Sequence, residues 1–168
     1  MFNIIKKILT TGVVTEPVKF PSDNELEQLG ITLKQRIDKK FNGSIAIRQV
    51  DAGSCNGCEL EIHALNNPYY DIERFGLHFV ASPRHADVLL VTGPVSRHMQ
   101  TALLRTYDAT PNPKWVVAVG DCAACGGEFG VSYASCGAVS NVIPVDVTIP
   151  GCPPTPLALM KGLLGLMG

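Results

Sequence analysis

Long apolar runs are missing from this sequence. No stretch of about 18 consecutive apolar residues occurs, so no segment is expected to span a membrane as a helix. Neither sign of charge dominates. Fourteen Lys and Arg face fifteen Asp and Glu, and the formal net charge of -1 gives no footprint for nucleic acid. Phosphate-binding fingerprints are absent too: there is no G-x-G-x-x-G and no Walker loop, and "GGEFG" (126–130) is a glycine-rich turn. No hydrolase elbow occurs. The first residues show no secretory apolar core followed by a small-residue cleavage site, so the chain is expected to be intracellular.

What is present is a chain of 168 residues, suited to one domain. Hydrophobic residues make up 46% and charged ones 17%, enough to form a packed core. Six cysteines stand out: Cys55, Cys58, Cys122, Cys125, Cys136 and Cys152. In a reducing compartment, clustered cysteines more often bind metal or do redox chemistry than form structural disulfides.

The chain opens with "MFNIIKKILTTGVVTEP". Ile4, Ile5, Ile8 and Leu9 share one face opposite Lys6 and Lys7, which predicts a short amphipathic helix ended by Gly12. Residues 17–24 read as a linker. "SDNELEQLGITLKQRIDKKF" reads as a polar helix with a Ser/Asp cap, broken or bent near Gly30.

Strand and helix signals then alternate. Strands are predicted at 44–53, 77–83, 87–94 and 114–120, and an extended, proline-punctuated segment at 141–154. Helices are predicted from Glu59, over 96–109 and over 155–167, the last with Pro156 in its first turn. Near-continuous apolar strands alternating with helices argue for a parallel sheet covered on both faces. The organisation expected is an N-terminal helical extension and linker over residues 1–43, then a cluster-binding domain over 44–168.

Functional groups of such sheets collect in loops at the carboxyl ends of the strands. Cys55 and Cys58 follow the first strand, Cys122 and Cys125 follow "KWVVAVG", and Cys152 follows "VDVTIP". Three chemistries use such thiols. Zinc would take Cys55, Cys58, Cys122 and Cys125 as two paired knuckles, leaving Cys152 without a role. A thioredoxin-like redox pair would use Cys55 and Cys58 alone. A 4Fe–4S cluster would take Cys55, Cys58, Cys122 and Cys152 from three loops, with flanking glycines letting backbone N–H groups approach the sulfurs. His63, His78, His85 and His98 are isolated in sequence and read as ordinary polar or packed side chains. Glu59 and Glu61 could carry protons beside a cluster, or be plain first-turn carboxylates.

Four segments, "SCNGCELEI", "SPRHADVLLVTGPV", "GDCAACGG" and "VIPVDVTIPGCPPTPLAL", bear a family resemblance. In this order they resemble the small, cluster-bearing subunit shared by respiratory complex I and the membrane-bound nickel–iron hydrogenases. The resemblance covers about residues 44–166. Complex I members carry two adjacent cysteines in the first motif. Here Cys55-Asn56-Gly57-Cys58 has the spacing typical of hydrogenase small subunits. The chain thus resembles the small subunit of an energy-converting (group 4) hydrogenase, of the formate hydrogenlyase kind.

This resemblance implies a flavodoxin-like α/β fold, an open and mainly parallel sheet with helices on both faces. It also implies one 4Fe–4S cluster, held by Cys55, Cys58, Cys122 and Cys152, with Cys125 and Cys136 outside the quartet. The implied role is electron relay between a ferredoxin-like iron–sulfur subunit and the nickel–iron centre of a hydrogenase large subunit. A membrane subunit would contact the N-terminal helix, at the cytoplasmic face of the cytoplasmic membrane. Arg84 would tune the cluster or pair with Asp87 or another acid. Two other readings are a complex I-like subunit passing electrons to a quinone, and a zinc-bound structural module.

Overall fold

The computed structural model describes residues 2–11 and 24–167. Five strands form one sheet: β1 (Ile45–Asp51), β2 (Leu77–Phe79), β3 (Val88–Thr92), β4 (Trp115–Val119) and β5 (Val147–Ile149). Their order is β2-β1-β3-β4-β5, and every pairing is parallel. That is the flavodoxin-like order.

Alternation along the buried strands divides the core in two. Val88 and Leu90 of β3 join one apolar cluster, with Ile45 and Ile47 of β1. Leu89 and Val91 join the other, with Val50, Val116 and Ala118. Helices α2 (Asn24–Phe41), α3 (Gly57–Ala64) and α6 (Pro156–Gly165) cover the first face, through Leu33, Ile37, Ile62, Leu159 and Leu163. Helices α4 (Arg97–Ala109) and α5 (Gly120–Cys125) cover the second, through Leu103 and Ala123. Each fully buried Leu or Ile contributes about 1.5–3 kcal/mol relative to exposure.

Side-chain caps set two helix starts. Ser96 accepts from the Met99 N–H and Thr155 from the Ala158 N–H. Two carboxylates stitch strand starts together: Asp87 accepts from the Ala46 N–H, and Asp146 from the Val116 N–H.

Three sequence expectations change. Helix α2 runs unbroken through Gly30, because a glycine is needed there for packing: a Cβ would lie 2.1 Å from the Phe75 ring. Strand β2 ends at Phe79, four residues short of its predicted end. The residues after β4 form a short helix, α5, where only a loop was expected. Helix α1 (Phe2–Thr11) forms as expected, with Phe2, Ile4 and Ile5 exposed. Of the predicted linker, residues 17–23 lie outside the described residues, the Ser22/Asp23 cap among them, and Asn24 opens α2.

Candidate functional site

Parallel register aligns the ends of four strands. Asp51 pairs with Thr92, Thr92 with Val119, and Val119 with Ile149. Every chain segment leaving this row starts at the same sheet edge. Cys55 and Cys58 lie four and seven residues past Asp51, while Cys122 and Cys152 each lie three residues past their strand. All four line one cavity of about 110 Å³, together with Gly57, Gly93, Asp121, Gly151 and Pro153. Cys125 and Cys136 do not line it.

Glycines let the thiols come this close. A Cβ on Gly120 would stand 2.7 Å from the Cys58 Sγ, and one on Gly127 would stand 2.7 Å from the Cys122 Sγ. Both glycines have positive φ, at 82° and 56°, a conformation that side chains disfavour. Polar contacts fix the loops. Asp51 Oδ1 accepts from the N–H groups of Gly53 and Ser54, both at 2.8 Å, and Ser54 Oγ accepts from the Asn56 N–H. Asp121 Oδ1 accepts from the Gly151 N–H at 2.9 Å, while the Asp121 N–H donates to the Gly151 carbonyl at 3.0 Å.

The thiols differ in exposure. Cys58 is half-buried against the apolar core, whereas Cys55 and Cys152 are exposed. Burial pushes the Cys58 thiol up to about 11, and Glu59, Cys55, Cys122 and Cys152 add to the rise. The Cys122 thiol is raised by burial first, then by Cys152, Cys55, Asp121 and Cys125. The physical cause is crowding of groups that all become anions. Among the described residues no Lys or Arg lines the cavity, and its one charged side chain is Asp121. Four thiolates here have no counter-charge among the described residues, and a core of metal cations would supply one. The donor set therefore fits a thiolate-bound metal group.

The remaining sequence candidates fall elsewhere. The Cys125 thiol donates to the Asp121 carbonyl at 3.1 Å and is exposed. Cys136 is buried in the second core cluster, 3.5 Å from Gln100 Oε1. Arg84 is exposed and does not line the cavity, and the Asp87 carboxylate is bonded to β1 rather than to Arg84. His63 is exposed at the end of α3. Glu59, which the sequence left as a proton carrier or a first-turn carboxylate, lies in the first turn of α3, is 5% exposed, and neither of its oxygens has a partner among the described residues. Sequence reasoning did not find the Asp121 clamp. Its one signal was an aspartate directly before the cysteine in "GDC".

Among the described residues no helix is long and apolar enough to cross a membrane. A family model, the 20 kDa subunit of NADH ubiquinone oxidoreductase, matches residues 55–166. Formate hydrogenlyase subunit 7 of Escherichia coli is 45% identical over 82% of this chain and 54% of its own length. The chain thus spans about half of that relative. "Probable membrane-bound hydrogenase subunit mbhJ" of Pyrococcus furiosus is 47% identical over 79% of this chain and 81% of its own. Among solved structures, a chain of the membrane-bound sulfane sulfur reductase, an archaeal respiratory membrane complex, is similar. It superposes with a TM-score of 0.66 at 35% identity, covering 82% of this chain and 73% of that one. These relatives are thus subunits of a formate hydrogenlyase and of a probable membrane-bound hydrogenase, and a chain of a membrane-bound reductase complex. The chain belongs to the family of the NADH ubiquinone oxidoreductase 20 kDa subunit.

Proposed function

We propose that this chain is the electron-relay subunit of a membrane-associated nickel–iron hydrogenase, with one 4Fe–4S cluster held by Cys55, Cys58, Cys122 and Cys152. The carrying observation is the convergence of these four thiols, from three strand ends, on one small cavity. Such a cluster, when bound, supplies reversible one-electron chemistry.

The thiol arrangement favours this group over zinc. The quartet facing the cavity includes Cys152 and leaves out Cys125, the reverse of the paired-knuckle set.

The protein's own part is to shield one side of the site and open the other. Cys58 sits against the core, and the backbone of Gly120 closes over it. Cys55 and Cys152 face outward, where a partner's redox centre would approach. Phe129, Val131 and Tyr133 expose apolar surface on the loop that follows Gly127. A groove shared by Phe129 and Gly53 joins this loop to the first cysteine loop. We assign this face to the hydrogenase large subunit, which would carry the nickel–iron centre. A ferredoxin-like subunit would be the other electron partner. The exposed Phe2, Ile4 and Ile5 of α1 would meet a membrane subunit, placing the chain peripherally at the cytoplasmic face.

The family's name favours a second reading, in which the electrons reach a quinone. Purifying the complex separates the two. Nickel in the complex with hydrogen evolution from a reduced ferredoxin supports the hydrogenase. Absence of nickel, with quinone reduction, supports the other.

A further inference from the structure

Asp121 sits where the three thiol-bearing segments meet. Its neighbour Gly120 packs on the Cys58 sulfur, and Cys122 follows it directly. Its backbone N–H and its carboxylate both bind Gly151, at 3.0 and 2.9 Å, one residue before Cys152. The Cys152 segment needs such a hold. It leaves β5, a three-residue strand at the edge of the sheet, and prolines 150, 153 and 154 have no N–H to give. Beyond β5, these two bonds are the hydrogen bonds that tie residues 151–154 among the described residues. The packing is tight as well: a Cβ on Gly151 would lie 2.8 Å from the Pro154 Cα.

We infer that Asp121 is a positioning residue for the cluster, clamping Gly151 so that Cys152 is held in register with Cys122 and Cys58, and placing a negative charge beside the metal group. The inference rests on the cluster reading above and adds a residue to it. Two effects separate chemically. The hydrogen bond needs an acceptor oxygen at the Oδ1 position, which asparagine keeps and alanine lacks. The charge needs a carboxylate, which asparagine lacks. A negative charge beside a cluster disfavours adding an electron, so removing it raises the reduction potential.

The test uses the full complex carrying Asp121→Asn or Asp121→Ala, with iron and acid-labile sulfide, EPR of the reduced protein, the midpoint potential, and iron release to a chelator. Asp121→Asn is expected to keep iron and sulfide at the wild-type level while its midpoint potential moves upward. Asp121→Ala is expected to release iron at least tenfold faster and to show an altered EPR signal. A loaded wild type with an Asp121→Ala variant unchanged in release rate and EPR overturns the inference and leaves the cluster reading standing. If Asp121→Ala does not fold, Asp121→Asn decides alone: a raised potential supports the inference and an unmoved one overturns it. A wild-type complex without iron or sulfide on this chain overturns both.

Discussion

Gly120 lies directly against Cys58: a methyl group at this glycine would come within 2.7 Å of the sulfur. The contact joins the end of β4 to the start of α3, so two thiol loops pack directly on each other. Gly120→Ala therefore meets both a clash and an unfavourable φ of 82°. The expected cost is about 1–3 kcal/mol of stability. Iron content should fall with it. Thermal melting and iron analysis of the same preparation check both.

Single cysteine replacements should separate ligands from bystanders. Cys58→Ser and Cys152→Ser are expected to lose most of the iron and the EPR signal. Cys125→Ser should keep both, since its thiol bonds to the Asp121 carbonyl and does not line the cavity. Iron retained in Cys152→Ser but lost in Cys125→Ser would move the site to the paired-knuckle set.

The metal-free chain should be sensitive to alkali. The Cys58 thiol titrates near 11 in the folded state, against 9.0 for an unperturbed thiol. Between those values the folded form holds more protons than the unfolded form. Its stability is therefore full below pH 9 and falls as pH rises towards 11. Urea melts of the apo protein at several pH values test this. Cys58→Ala should flatten the slope, and metal loading should abolish it, because the bound sulfur no longer takes a proton.

Gly30 predicts an effect on stability alone. Gly30→Ala places a Cβ inside the Phe75 ring position, at a site on α2 remote from the thiol cavity. A loss of about 1–3 kcal/mol is expected, with unchanged iron per folded chain. Thermal melts and iron analysis check it.

The exposed loop predicts the reverse pattern. Phe129→Ser combined with Tyr133→Ser should leave iron and sulfide intact while weakening association with the large subunit. Both side chains are exposed, at 68% and 99%, and neither lines the thiol cavity. Co-purification of the large subunit with the variant measures the effect.

The parallel sheet and most strand positions could be read from the sequence because the buried strands are near-continuous apolar runs, as in "DVLLVTGP", whereas the flavodoxin-like fold was implied by the family resemblance. The meeting of Cys55, Cys58, Cys122 and Cys152 followed from their places after strands. Gly30 was misread because local propensity treats a helical glycine as a weakness, and only Phe75, 45 residues away, shows its use. The Asp121 bond to Gly151 likewise spans 30 residues. Glu59 lies in the first turn of α3, one of the two places its sequence position offered, and its burial comes from packing that helical spacing does not encode.

The most direct measurement is iron and acid-labile sulfide, with EPR after reduction, on this chain in its purified complex. The account predicts iron and sulfide in equal amounts and a signal that Cys152→Ser removes. Stoichiometric zinc, with no sulfide and no cluster signal, would contradict it.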